Sequence, residues 1–283
     1  MSKYLVTTAL EETWPDKNEE ILFLGEWCKL YERKEKWKNY NSRVQPYHWN
    51  DRKKLKKDYD YINKVYESFL LKTSAKLNEI HSTNYSLIFW RILIGPWLGS
   101  FLQVVFDRFY MLQKVIDFNY ELANIHIPII NESDLIPNDM IEFEHSISDE
   151  TYNNYLFQEI IKKSFYGDIN IINNKNIINN KSIIKINFSK PKSNITKILE
   201  YFIHKSNRLF PDCKFFFKNS YIPALKEIII QLSLSQWPKI YLSQKVLDSR
   251  FNAEGRSWSL NNKDSFQDNS NKYERLLEEL IPK

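Results

Sequence analysis

Five glycines in 283 residues leave little material for phosphate-binding loops. Neither GxGxxG nor GxxxxGK followed by Ser or Thr occurs, which excludes a conventional dinucleotide or P-loop site. Cysteine is scarcer still: Cys28 and Cys213 lie far apart and fit no disulfide framework and no CxxC metal pattern, which suits a reducing cytoplasm. The histidines, His48, His81, His126, His145 and His204, never stand at HxH or HxxxH spacing, so no metal is expected. Without GxSxG there is no nucleophile elbow for a triad hydrolase. The opening stretch, MSKYLVTTALEETWPD, holds no apolar core of signal-peptide length, which argues against export. Nor does one sign of charge dominate. Forty basic and 35 acidic residues leave a net charge of +5, too mild for its size to imply nucleic acid.

What the chain has is aromatic and apolar material, with Phe, Tyr and Trp at 15%. Its most apolar stretch is 85–116, where Arg91 is the only charge before Asp107. Gly95-Pro96 breaks it into two helices, because proline lacks an N–H and disfavours helix at the residue before it. Leu98, Leu102, Val105, Phe109, Leu112 and Ile116 recur at spacings of four and three, an apolar stripe along the second helix. Gln103, Asp107, Arg108 and Gln113 occupy the other side and favour a protein core over lipid as the burial site. The expectation is a central buried helix pair, with a carboxylate partner inside the protein for Arg91.

Two short runs, Tyr4 to Ala9 and Ile21 to Leu24, read as buried strands. Acids follow each: Glu11 and Glu12 after the first, Glu26 and then Trp27 after the second. In open α/β sheets ligands gather outside the carboxyl ends of the strands, so these residues could share one crevice. The segment linking the runs is short for a parallel crossover, which leaves their pairing open. A helix is expected from about Asp58 to Ile80, and Pro128 marks 125–130 as an edge strand. Glu142 to Phe165 is helical in pattern. Asp168 to Lys190, built almost wholly from Ile, Asn, Lys and Ser, is a low-complexity surface insertion or a β-prone strand pair. Further pieces follow: a helix at Lys197–His204, a strand at Lys214–Phe217, a helix after Pro223, an extended segment at Lys239–Leu242 and a helix from about Asn271 to Leu280, whose partner surface is expected outside the chain.

Paired carboxylates are the best chemical lead. Glycosyl-transferring and glycoside-cleaving sites need a carboxylate near neutral pKa, and a crevice wall can supply the desolvation. Glu11, Glu12 and Glu26 are the candidate catalytic residues. Thr8, Trp14, Trp27, His48, Trp49 and Arg91 are candidate substrate contacts, the tryptophans as flat faces for a sugar. Ordinary loop acids and core tryptophans are the plainer alternative. Arg52, Lys53, Lys54, Lys56 and Lys57, just after Tyr47-His48-Trp49, form the densest basic cluster. It is either an anion-binding patch for phosphate, lipid headgroups or nucleic acid or the solvated start of a helix.

Four segments read together: LVTTALEETWP (Leu5 to Pro15), ILFLGEWC (Ile21 to Cys28), YHWNDRKKL (Tyr47 to Leu55) and FWRILIGPWLGSFLQVVFDRF (Phe89 to Phe109). The chain resembles the N-terminal part of a transferase family found in O-antigen and surface-polysaccharide gene clusters, first described from spirochaetes. The likeness is strong over roughly the first 115 residues and weaker from Asn219 to the end. It implies an α/β fold, a helix-rich Rossmann-like lobe of a two-lobed, GT-B-like glycosyltransferase architecture, with 1–283 as a single lobe. It implies transfer of a sugar or related activated group in cell-surface polysaccharide biosynthesis, with a nucleotide-activated sugar as co-substrate and no other cofactor. The partners it implies are a glycan or lipid-linked glycan acceptor, peripheral contact with the inner face of the cytoplasmic membrane, and a second Rossmann-like lobe. The family's second lobe carries a His- and Gly-rich stretch that this sequence lacks, and the resemblance therefore implies an acceptor-side half, a split gene or a truncated remnant. The resemblance assigns no catalytic residues. The alternative function is a non-catalytic module that grips an anionic polymer or lipid surface through 47–57.

Overall fold

The computed structural model describes residues 4–117, 123–129, 135, 137, 139–177, 205, 224–237, 258, 260 and 271–281. The pieces expected at 178–190, Lys197–His204, Lys214–Phe217 and Lys239–Leu242 lie outside the described residues. The chain divides into two compact units, 1–183 with 250–283, and 184–249.

In the first unit the described strands form one parallel sheet. They are β1 (Tyr4–Val6), β2 (Ile21–Phe23), β3 (Ser42–Val44), β4 (Ala123–Ile129) and β5 (Ile169–Ile177), in the order β3-β2-β1-β4-β5. The chain moves outward from β1 in one direction and then returns to its other side, which is the Rossmann-like arrangement. The short link from β1 to β2 makes a parallel crossover without an α-helix. A 3-10 turn, Glu11–Thr13, does the work, and Trp14 fills the space, its indole N–H donating to the Thr8 carbonyl at 3.2 Å and its ring edge-on to Phe23.

Apolar residues run without alternation in β1 and β2 because both faces are covered. Leu5, Leu22 and Leu24 join the main core with the helices; Val6, Ile21 and Phe23 join a smaller cluster with Trp14 and Cys28. Pro128 does not mark an edge, since β4 lies between β1 and β5. The proline is accommodated instead where the β4–β5 register slips, between Ile127 and Ile129, at a residue with no N–H to give. The Ile/Asn-rich stretch begins inside the sheet, as β5.

After a single helical turn, α1 (Lys34–Trp37), the long helices follow. Helix α2 (Arg52–His81) starts earlier than the sequence pattern indicates, because Asp51 caps it, its carboxylate accepting from the Lys53 and Lys54 amides. Helices α3 (Leu87–Leu93) and α4 (Gly95–Asp117) meet at a 66° bend, with Pro96 in the first turn of α4. The stripe on α4 is the centre of the core: Leu98, Leu102, Val105, Phe109 and Leu112 are buried. The pair as a whole is not buried. On α3 only Trp90 is fully buried and Leu87 packs partly against the core, while Ile88, Phe89, Ile92 and Leu93 face solvent. Apolar composition placed α3 inside, but its seven residues reach α2 only along one edge. There Arg91 makes a bidentate bridge to Glu67 at 2.6 and 2.7 Å, a surface partner rather than an internal one. Among the described residues no single helix is long and apolar enough to cross a membrane; α3 and α4 pass that test only jointly, across the bend.

Two helices, α5 (Met140–Ser146) and α6 (Glu150–Ser164), replace the single one expected over Glu142 to Phe165. Asp149 is the reason: its carboxylate caps α6 by accepting from the Tyr152 amide at 2.9 Å. In the second unit, helix α7 (Ala224–Ser233) follows Pro223 as expected. The last helix, α8 (Lys272–Leu280), has its partner surface within the chain. Tyr273, Leu276, Leu277 and Leu280 join the main core, and the Tyr273 hydroxyl donates to the Leu102 carbonyl at 2.7 Å.

Candidate functional site

A cleft of about 740 Å³ opens at the carboxyl ends of β1, β2 and β3, within the size range of small-molecule sites. Thr8 lines it after β1. Gly25, Glu26 and Trp27 follow β2, and Gln45, Pro46, Tyr47 and Asn50 follow β3. Asp107 and Arg108 reach in from α4, and Ser148, Glu150 and Asn153 from the α5–α6 turn and the start of α6.

Glu150 is the most chemically distinctive of these. One carboxylate oxygen accepts the Ala9 amide at 2.8 Å, just past the end of β1. Burial raises its pKa above the usual carboxylate range; the Ala9 hydrogen bond opposes this, nearby Asp149 adds to it and Arg33 offsets it. A carboxylate with its pKa moved toward neutrality, in a cleft, is suited to proton transfer.

A polar chain holds the turn that presents Glu150. Asn153 donates to the Ile147 and Asp149 carbonyls, both at 2.9 Å, and accepts from Arg108 Nη2 at 2.9 Å. Arg108 in turn bonds Asp107 Oδ2 at 2.9 Å. The other Asp107 oxygen accepts from the Tyr47 hydroxyl at 2.7 Å and meets His48 Nε2 at 3.1 Å. Lys54 Nζ lies 3.3 Å from His48 Nδ1. An ammonium can only donate, so Nδ1 is the bare nitrogen and Nε2–H donates to Asp107. Burial works against ionisation of Asp107, but His48, Arg108 and Tyr47 outweigh it and hold its pKa below the usual value. The Tyr47 hydroxyl is pushed far up by burial and by this same carboxylate.

Gln45 is only 1% exposed and lines the cleft, yet neither polar atom of its side-chain amide has a hydrogen-bond partner among the described residues. A buried amide without partners costs about 1–3 kcal/mol for each group left unsatisfied.

The residues singled out from sequence are divided by the fold. Thr8, Glu26 and Trp27 line the cleft. Trp27 stands upright there because its indole N–H donates to the Thr7 carbonyl at 2.9 Å, while Glu26 is largely exposed and pairs with Lys29 at 3.3 Å. His48 lies behind the cleft wall on Asp107. Trp49 donates to Asp58 at 2.9 Å and stacks on Phe106. Trp14 sits in the small core. Glu11 is bound to Arg33 and Lys36 and, with exposed Glu12, is not among the residues lining the cleft. Arg91 is on α3 with Glu67. Of the basic cluster, Lys54 is tied to Asp58 and lies over the Tyr110 ring. Arg52, Lys53, Lys56 and Lys57 are exposed and make no ion pair among the described residues. No group of three or more His, Cys, Asp or Glu able to share a metal ion occurs among the described residues.

Gly25 is needed for this geometry. A Cβ there would fall inside the Trp27 ring. Gly25→Ala is expected to swing Trp27 out of the cleft and break its bond to Thr7, seen as a red-shifted Trp fluorescence maximum, with ligand binding weakened about fivefold to tenfold by the loss of roughly 1–1.5 kcal/mol of contact with the Trp27 ring.

No curated protein and no solved structure matches the chain. A family model described as LIC12162 family transferase matches residues 3–283. With that match spanning nearly the whole chain, the protein belongs to the LIC12162 family of transferases.

Proposed function

We propose that the chain acts in glycosyl transfer during cell-surface polysaccharide assembly, and that the cleft at the carboxyl ends of β1 to β3 holds the hydroxyl-bearing acceptor. In the transfer step Glu150 takes the proton from the acceptor hydroxyl. The oxygen bonds to the activated carbon of the donor, and the leaving group departs with the electron pair. The observation that carries this reading is the Glu150 carboxylate, set in the cleft by the Ala9 amide and desolvated there.

Charge bears on which substrate the cleft takes. Among the described residues that line the cleft the carboxylates are Asp107, Glu26 and Glu150 and the one cation is Arg108, which Asp107 already neutralises; Lys29 beside Glu26 and Arg33 near Glu150 stand outside the lining. Donor phosphates would meet carboxylates here, whereas neutral hydroxyls would find Asn50, Ser148 and the Trp27 ring. In this reading the acceptor is a glycan or lipid-linked glycan, and the nucleotide-activated donor is held by a second Rossmann-like lobe.

Titration calorimetry with neutral mono- and disaccharides and with nucleotide sugars tests it. Saturable binding of a neutral saccharide is expected, weakened about fivefold by Asn50→Leu, which removes an exposed amide from the cleft lining and with it roughly 0.5–1.5 kcal/mol of hydrogen bonding. Nucleotide sugars that bind undisturbed by Asn50→Leu, with no saccharide bound, would overturn it.

A further inference from the structure

Helix α3 carries a patch that the core does not explain. Ile88 and Ile92, one turn apart, are 70% and 75% exposed, and Phe89, Leu93 and Tyr85 beside them are exposed as well. Large apolar side chains gathered on two turns differ from the scattered ones any soluble surface tolerates.

The contacts of α3 fix which side of α2 it covers. Arg91 grips Glu67, and the Trp90 indole N–H donates to Asn78 Oδ1 at 3.0 Å. Glu67 and Asn78 are three helical turns apart and so lie on one face of α2. Followed toward the N-terminus at spacings of three, four and seven, that face passes through Lys64, Lys56 and Lys53, with Arg52 and Lys57 at its margin. All five cations are exposed and make no ion pair among the described residues. Asp60 is the single carboxylate in the row apart from Glu67, which Arg91 neutralises. Exposed Leu71 lies on the same face, near the end that α3 covers. A cationic row and an apolar patch therefore share one side of the molecule, extended over roughly 35–40 Å along α2.

We propose that this side, the solvent face of α2 from Arg52 to Lys64 together with the outer side of α3, docks on the surface of an anionic lipid bilayer. Its chemistry matches that of interfacial helices: apolar side chains reach below the headgroups, and lysines meet the lipid phosphates. A second copy of the chain would bring the same cations and no facing row of carboxylates. Nucleic acid would satisfy the lysines but leave Ile88, Phe89, Ile92 and Leu93 in water. The proposal stands apart from the reading of the cleft.

Flotation with phosphatidylcholine vesicles, with and without phosphatidylglycerol, tests it on the full chain. Binding to the anionic vesicles alone is expected, weakening as salt rises. Charge reversal at Lys53, Lys56 and Lys64 should lower the partition coefficient about fivefold per residue. Ile88→Asp with Ile92→Asp should lower it roughly tenfold or more, with circular dichroism and melting unchanged because both side chains are exposed. Wild-type chain that ignores anionic vesicles, binds neutral ones equally well, or keeps its binding in either variant would overturn the proposal. A dimer that the Ile88/Ile92 variant splits, without vesicle binding, would overturn it in favour of a second copy, and retention on an acidic protein alone in favour of a protein partner.

Discussion

Exchanging Glu150 for Gln is expected to lower the transfer rate about 10²–10⁴-fold, the usual contribution of a positioned general base, without loss of stability. Glutamine keeps the shape, and its side-chain oxygen still accepts the Ala9 amide. What it loses is the ability to take a proton. Because burial raises the Glu150 pKa in the folded chain, the folded state binds its proton more tightly than the unfolded state does. Between the ordinary and the raised value the folded state holds more protons, so stability increases as pH falls through that window and the charged form carries a cost above it. A glutamine in its place has no charge to desolvate. The variant should therefore melt at the same temperature as the wild type or higher at neutral pH, while activity collapses. Glu150→Ala separates the two effects, since it leaves the Ala9 N–H without an acceptor and should destabilise. The wild-type rate should rise with pH through a value above the usual carboxylate range, and that limb should vanish in Glu150→Gln. Wild-type turnover by the Gln variant would remove Glu150 from the chemistry.

Glu150 escapes a reading by periodicity alone. The apolar spacing of Tyr152, Tyr155, Leu156, Ile160 and Ile161 is helical, and extending it back to Glu142 buries the decisive residues inside one helix. Ser148-Asp149-Glu150 is a cap signal that was legible in principle: an Asp followed by an acidic first turn. Reading it would have divided α5 from α6 and put Glu150 at a helix start, where cleft residues of Rossmann-like folds gather. Gln45 had no such signal. Its amide is buried with no partner among the described residues, a feature that only the packed structure reveals.

Position after a strand located some cleft residues and not others, for a physical reason. Thr8, Glu26 and Trp27 follow their strands closely, so the sheet itself carries them to the cleft. Glu11 and Glu12 sit in a turn that leaves the sheet to make the β1–β2 crossover, and Arg33 and Lys36 draw Glu11 away. Hydrophobic spacing located α4 and its buried stripe, because a central helix must present a continuous apolar face. The same apolarity misplaced α3, since composition does not tell a core from a surface that meets something else. Pro128 misled in the same way: the rule that proline sits at edges or irregularities holds, and here the irregularity is a register slip inside the sheet.

Replacing Asp107 by Ala is expected to destabilise the fold by about 3–5 kcal/mol, the cost of breaking a buried charge network by removing one member. Three groups converge on this carboxylate: the Tyr47 hydroxyl, His48 Nε2–H and the Arg108 guanidinium. Without it the Tyr47 and His48 donors face a cavity, and Arg108 retains only Asn153. The urea midpoint should fall with little change in the slope of the transition. Asp107→Asn should recover part of the loss, because an amide oxygen still accepts one donor but cannot balance Arg108. The pH dependence identifies the charge as the cause. The Asp107 pKa is lowered in the folded state, so its stabilisation is fully present above about pH 5 and disappears as pH falls through the lowered folded value. The gap between wild type and Asp107→Asn should thus be flat through neutrality and close in strong acid. Activity should fall in parallel, since Asp107 orients Arg108, Arg108 holds Asn153, and Asn153 ties down the turn that aims Glu150. If Asp107→Ala kept its midpoint and lost only activity, Asp107 would be acting on the substrate directly rather than through this chain.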